Sequence, residues 1–155
     1  MQVQGQVNVA VRPPAVVRAL HDPVLLQSFL PGGSKVTRTS ETVFDFLAMR
    51  ETAMITLKLP GTLTILELTP RRAYRMTARA RHLLGGSLAL DLDLTLARID
   101  EATDLSYLGT IEGGGLAGKL LGDHEDAARN RITNMFHEFA RRLQRRQPHG
   151  EGPAA

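Results

Sequence analysis

The chain has 155 residues, 43% hydrophobic and 23% charged, so a single domain with a substantial core is expected rather than a disordered chain. It contains no cysteine, which excludes disulfides, thiol nucleophiles and thiolate metal sites. A formal net charge of +3 would permit contact with nucleic acid, but tryptophan is absent and most arginines are scattered, so a nucleic-acid partner is not expected.

The sequence predicts a cytoplasmic protein. It has no run of about 18 apolar residues that could span a membrane. Its N-terminal MQVQGQVNV lacks the positive and apolar blocks of a signal peptide. We expect one domain over residues 1–146 and a flexible tail over 147–155, because QPHGEGPAA is dominated by proline, glycine and alanine.

The chain is predicted to begin with a half-buried strand followed by two short helices. Between residues 2 and 11, valine and glycine at odd positions alternate with glutamine and asparagine, which is the period of a strand. Pro13 and Pro14 end this strand, and the helices are expected over 14–22 and 23–30. Asp22 should cap the second helix.

Residues 34–112 lose the helical period and are predicted to form an antiparallel meander. The connections are short, with Pro60-Gly61 expected to be one of the turns, and short connections join antiparallel neighbours. The predicted strands are 34–40, 42–50, 53–59, 62–69, 72–82, 86–98 and 103–112.

One hairpin can be predicted in detail. In 87-SLALDLDLTL-96 every second residue is leucine, so one face of the strand is apolar and the other polar. On the preceding strand, Arg75 and Arg79 should lie across from Asp91 and Asp93. A slip of one residue would turn the leucines toward water, so the register is well specified.

The segment 123–147 is predicted to be a long amphipathic helix. A sheet with one apolar face must be covered, and only this helix is large enough to do so. The predicted fold class is therefore α+β, with a curved antiparallel sheet of about seven strands wrapped around the C-terminal helix. The apolar stripe of the helix consists of Ala128, Ile132, Met135, Phe136, Phe139 and Leu143.

The sequence shows no catalytic or metal-binding constellation. The histidines lack metal-ligand spacing, and Asp91 and Asp93 face outward, where a carboxylate stays ionised. The glycines of 113-GGGLAG-118 lack the pattern of a phosphate-binding loop. Ala78 and Ala80 on the inner face leave room under the helix, and the residues alone leave open whether that room is packed core or an apolar ligand cavity.

Three local strings carry a family resemblance. They are 22-DP-23 with 30-LPGG-33, then 103-TDLSYLGTIEGGGLAGKL-120, and finally Phe136 and Phe139 ahead of Leu143. With them the chain resembles the CoxG family of carbon monoxide dehydrogenase proteins, within the START, polyketide-cyclase and Bet v 1-like group. The resemblance implies a helix-grip fold and a non-catalytic accessory protein of molybdenum-hydroxylase systems, which helps membrane association or quinone-linked electron delivery. The expected ligand is a quinone or a lipid, and no cofactor or metal is expected.

The wider group implies that an apolar ligand would lie between the sheet and the long helix. Large apolar and aromatic residues suit such a site. The residues expected to contact the ligand are Phe29, Leu30, Tyr74, Met76, His82, Tyr107, Ile132, Met135, Phe136 and Phe139.

Two further expectations concern partners and chemistry. The basic run 141-RRLQRR-146 is a candidate for peripheral contact with the inner face of a membrane. Two alternatives stay open for the function. One is an enzyme related to polyketide cyclases or dehydratases, with His82 or Tyr107 as acid or base. The other is an adaptor with a filled core that docks on a dehydrogenase.

Overall fold

The computed structural model describes residues 1–31, 34–51, 53–115 and 125–146. Its seven strands form one antiparallel sheet in the order β1-β7-β6-β5-β4-β3-β2, so every sequential pair from β2 to β7 is a hairpin. The strands are β1 (Gln2–Val9), β2 (Lys35–Arg38), β3 (Val43–Glu51), β4 (Thr56–Thr69), β5 (Ala73–Arg81), β6 (Ser87–Ile99) and β7 (Ala102–Gly113). The helices are α1 (Pro13–Leu20), α2 (Pro23–Leu26), which continues into a 3-10 turn (Gln27–Phe29), and α3, described over Glu125–Arg146.

Proline and aspartate residues determine where the two short helices begin. Pro13 and Pro14 occupy the first turn of α1, where a missing backbone N–H costs no hydrogen bond. Asp22 caps α2 as predicted, since its Oδ1 accepts a hydrogen bond of 2.9 Å from the backbone N–H of Val24. Both helices bury apolar residues against the core.

The predicted turn at Pro60-Gly61 is wrong, because β4 runs through it as one strand. Pro60 pairs with Leu47 of β3. The pairing of β4 with β5 begins one residue later, where Gly61 lies opposite Ala80. The proline therefore lies where β4 pairs with β3 alone, a position that tolerates a missing backbone N–H. A Cβ atom at Gly61 would lie 2.6 Å from the carbonyl oxygen of Arg79. The dipeptide therefore marks a crowded point within a strand rather than the end of one.

The β5–β6 hairpin confirms the predicted register. Leu92, Leu94 and Leu96 are buried. Arg75 lies directly opposite Asp93, with 2.9 Å between Nε and Oδ1. Arg79 reaches diagonally to Asp91 and donates 3.0 Å hydrogen bonds to both of its carboxylate oxygens.

The sheet curves around α3, which confirms the α+β helix-grip prediction. The described part of α3 packs against β1, α2 and the 3-10 turn. The predicted stripe is buried except for Met135, which is half-buried, and Ala140 joins it. The predicted helix start at Asp123 and the predicted tail at 147–155 lie outside the described residues. Among the helices of the described chain, none combines the length and apolar character needed to cross a membrane.

Candidate functional site

A cavity lies between the concave face of the sheet and α3. Its volume is about 90 Å³. Among the residues that the structure describes, all those lining it have apolar side chains. The lining consists of Leu26, Phe29, Leu30, Pro31, Val36, Phe46, Ala48, Leu63, Met76, Ala78, Leu88, Leu90, Leu92, Ile111, Ile132, Met135 and Phe136.

The size of the cavity sets what it can hold without rearrangement. One water molecule needs roughly 10–15 Å³, so the cavity is several times larger than the space for a single water. Pockets for drug-sized ligands have roughly 300–1,000 Å³, so a whole ligand would have to displace side chains at the rim. Such side chains are available, because the lining residues Phe29, Leu30, Met135, Leu88 and Leu90 are only half-buried.

Small inward residues create part of this space. Ala78 of β5 and Ala48 of β3 both line the cavity, at positions where the alternation of each strand directs side chains inward. Ala80, the other small residue singled out from the sequence, is buried but does not line the cavity. The empty space therefore lies around Ala78, under the middle of β5.

Six of the ten residues expected to contact a ligand line this cavity. Other lining residues, on β3, β4, β6 and β7, were not among these ten, although their inward position follows from the same alternation. The six are Phe29, Leu30, Met76, Ile132, Met135 and Phe136.

Tyr107 and Phe139 lie in the core beside the cavity and do not line it. The Tyr107 ring stacks on Phe136 at a centroid distance of 4.1 Å, and its hydroxyl oxygen is 3.3 Å from Oγ1 of Thr133. Phe139 packs against Phe29 with ring centroids 5.1 Å apart. Both rings thus hold in place aromatic residues that do face the cavity.

Tyr74 and His82 are also outside the cavity lining. The Tyr74 hydroxyl donates to Oε2 of Glu67 at 3.2 Å and accepts from the backbone N–H of Arg71, and burial raises the pKa of Tyr74. His82 belongs to the β5–β6 turn, where its Nδ1 accepts a 3.0 Å hydrogen bond from the backbone N–H of Leu84. Neither residue lines the cavity wall, because each is held by a local turn.

A shallow polar groove borders the cavity and was not anticipated from the sequence. It runs between the 3-10 turn and α3, and Leu30, Pro31 and Met135 line both the groove and the cavity. Its polar side chains are Ser28, Asn130, Arg131, Asn134 and Glu138. Within the described ranges, no group of three or more histidine, aspartate or glutamate side chains is placed to hold a metal ion.

Solved structures with the same fold are numerous. A conserved protein from Geobacillus kaustophilus superimposes with a TM-score of 0.74 at 18% identity, over 94% of this chain and 96% of that one. A STAR-related lipid transfer protein from Xanthomonas axonopodis gives a TM-score of 0.60 at 11% identity, over 91% and 84% of the two chains. The Zhui aromatase/cyclase from a Streptomyces species gives 0.59 at 14% identity, over 100% and 98%. At these identities the likeness concerns the fold alone.

Sequence comparison is more specific. Among curated proteins, none has significant similarity to this chain. The family model for CoxG, a subunit of carbon monoxide dehydrogenase, however, matches residues 5–144. That match runs from β1 to the last turns of α3 and includes every element that encloses the cavity. The chain therefore belongs to the CoxG family of carbon monoxide dehydrogenase proteins.

Proposed function

We propose that this protein binds an apolar small molecule, a quinone or a lipid, in the cavity between the sheet and α3. In this proposal it is a non-catalytic accessory protein of a molybdenum hydroxylase of the carbon monoxide dehydrogenase type. The observation that carries the proposal is the cavity itself, whose lining side chains are all apolar. Membership of the CoxG family and the shared fold of a lipid transfer protein support it.

The physical basis of binding would be removal of apolar ligand surface from water. Each Å² buried contributes about 25 cal/mol, so a ligand that buries about 200 Å² would gain about 5 kcal/mol before its entropy costs. Because the described residues that line the cavity have apolar side chains, this apolar term would dominate for the part of the ligand inside it.

Filling the cavity tests the proposal. We expect Ala78→Leu to weaken binding of Nile red, a neutral fluorescent probe, and of decylubiquinone competing with it, by about tenfold or more, because the added methyl groups occupy the cavity. Fluorescence titration of the purified protein measures both affinities. The control is Ala97→Leu, the same change at an exposed position of β6. Equal binding by the wild type and both variants would mean that the probe lies elsewhere.

The enzyme alternative has no support from the site. It relied on His82 or Tyr107 as acid or base, and neither residue lines the cavity. The fold shared with the Zhui aromatase/cyclase carries no residue role to this chain. The adaptor alternative, in contrast, is separated from the proposal by the binding experiment, since a filled interior would take up no probe.

The proposed function includes peripheral contact with a membrane, and two surfaces are available for it. At the end of α3, Arg141, Arg142 and Arg145 lie around Glu138 and Arg146 pairs with Asp22, so part of the positive charge is already neutralised. At the β5–β6 turn, Leu83 and Leu84 are 94% and 81% exposed. We expect the turn to make the contact, because it leads directly into Leu88 of the cavity lining.

A further inference from the structure

We propose that the groove beside the cavity binds the anionic head of an amphipathic ligand, with Arg131 and Ser28 as the principal contacts. The tail of the same ligand would lie in the apolar cavity. This inference rests on the proposed function and specifies its ligand class: a single-chain molecule that ends in a carboxylate or a phosphate.

Two buried polar atoms point to a missing partner in the groove. Among the described residues, Ser28 Oγ and Arg131 Nε are the buried side-chain atoms that form no hydrogen bond. Ser28 is only 5% exposed. Leaving a buried donor without an acceptor is unfavourable, so such atoms are rare in folded proteins. Both atoms belong to side chains that line this one groove, which a bound acceptor would explain.

The groove and the cavity are adjacent, as one amphipathic ligand requires. Leu30, Pro31 and Met135 form part of both walls. On α3, Arg131 directly precedes Ile132 of the cavity lining and lies one turn before Met135, so the polar and apolar linings meet along the same helix. A ligand that displaces the half-buried side chains of Leu30 and Met135 could therefore extend from one to the other.

The electrostatics of the groove favour an anion. Burial lowers the pKa of Arg131, and the nearby positive charge of Arg50 lowers it further, so an anion near both guanidinium groups would relieve their repulsion. Glu138 also lines the groove, but its carboxylate is bound by Arg141 and Arg142, which lower its pKa and neutralise its charge. No ion pair involves Arg131 in the described part of the chain.

The donors of the groove match a carboxylate or phosphate better than a neutral group. A guanidinium presents N–H groups in a planar fork that suits two oxygens of one anion, and a hydroxyl can add a further hydrogen bond. Asn130 and Asn134, exposed on the same side of α3, could contribute amide N–H groups at the outer edge. The small cavity suits one chain rather than two.

The test compares ligands with one tail and different heads. Dodecanoate, dodecyl phosphate and dodecanol each compete with Nile red for the full chain. We expect the anions to bind about tenfold more tightly than the alcohol, since a charge-assisted hydrogen bond is worth about 1.5–3 kcal/mol and 1.4 kcal/mol is tenfold. Comparison of dodecanoate with dodecyl phosphate identifies which anion is preferred. Equal affinities for all three heads would overturn the proposal.

Variants show whether the preference arises in the groove. Arg131→Gln and Ser28→Ala should each reduce the preference for the anion to about twofold while dodecanol binding stays unchanged. Ser28→Ala should not lower the melting temperature of the free protein, because it removes an unsatisfied hydroxyl. The control Arg129→Gln removes an exposed charge of the same helix that pairs with Glu125. Loss of the preference in this control as well would contradict the inference.

The same data separate this inference from the proposed function. If dodecanol binds the wild type and Ala78→Leu weakens dodecanol binding, the apolar cavity is the site of the tail, whether or not the anions bind more tightly than the alcohol. If Nile red and decylubiquinone also fail to bind, the proposed function itself fails; if they bind and only the three dodecyl compounds fail, this inference fails alone.

Discussion

Gly109 of β7 lies directly opposite Leu92 of β6, with no room for a side chain between the two backbones. A Cβ atom added there would collide with the carbonyl oxygen of Asp91 and lie 2.8 Å from Cα of Leu92. Because these are backbone atoms, a rotamer change cannot relieve the contact. Glycine at this position therefore permits the tight curvature that lets the sheet enclose α3.

We expect Gly109→Ala to destabilise the protein by about 3 kcal/mol, since accommodating the methyl group requires two strands to separate. Urea unfolding measures the change. Gly114→Ala is the matched control, because the added Cβ would meet no atom within 4 Å there. A destabilisation of similar size in both variants would show that chain flexibility, rather than close approach, requires glycine at residue 109.

Gly5 makes room for an aromatic side chain rather than for a neighbouring backbone. It lies opposite Tyr107 in the β1–β7 pair, and a Cβ atom there would lie 2.6 Å from Cζ of that ring. The absence of a side chain lets the tyrosine fold over β1 and stack on Phe136. Glycine at residue 5 therefore leaves the space that the Tyr107 ring occupies in the core.

At the scale of elements, α2 and the 3-10 turn are short, so their stability depends on interactions at their ends. Asp22 connects two elements, because Oδ1 caps α2 while Oδ2 pairs with Arg146 at the end of α3. The turn that follows carries Ser28, Phe29 and Leu30 to the cavity rim. The position of the rim therefore depends on this capped helix.

We expect Asp22→Ala to cost about 1 kcal/mol of stability through loss of the cap, while Asp22→Asn, which keeps a capping oxygen, costs less than half as much. Thermal unfolding of both variants measures the difference. A loss of stability in Asp22→Asn as large as that in Asp22→Ala would show that the pair with Arg146, and not the cap, holds α2 in place.

Cross-strand pairs contribute less to the sheet than the buried leucines do. The side chains of Arg75 and Asp93 are 49% and 55% exposed, and pairs of that kind are worth about 0–1 kcal/mol. Burying a single leucine contributes about 1.5–3 kcal/mol. The register of β5 and β6 is consequently maintained by Leu92, Leu94 and Leu96, and the ion pairs follow from it.

At the scale of the whole molecule, the two ends of the sheet differ. One end carries the β5–β6 turn, with exposed Leu83 and Leu84, and is the end toward which the cavity lies. The other end carries the last turn of α3, where Gln144 accepts a hydrogen bond from the backbone N–H of Ala10 just after β1. A single membrane contact can use only one of these ends.

We expect the double variant Leu83→Ser, Leu84→Ser to lower binding to vesicles of phosphatidylcholine and phosphatidylglycerol by about tenfold, because two apolar side chains no longer enter the bilayer interface. Co-sedimentation measures the bound fraction. The matched double variant Arg145→Gln, Arg146→Gln should change binding by less than about threefold. The reverse order of effects would assign the membrane contact to the basic end of α3.

The sequence by itself determined the types of element, their inward faces and the register of β5 with β6. Apolar residues alternate with polar ones along a strand and recur every three or four residues along a helix, and both patterns are local. The inward faces of β6, from Leu88 to Leu96, and of α3 could therefore be assigned without knowing any distant contact. Six residues of the cavity wall could be named from sequence pattern, and the family followed from local strings.

Only the tertiary structure decided which inward residues surround empty space and which fill it. Tyr74, Tyr107 and Phe139 face inward as their periods require, yet curvature and neighbouring rings place them in packed core. Tertiary packing also decided that Pro60-Gly61 lies within a strand, and that Ser28 and Arg131, far apart in the chain, share one groove. The physical reason is that such contacts depend on how tightly the sheet bends and where α3 docks, and no local period encodes either.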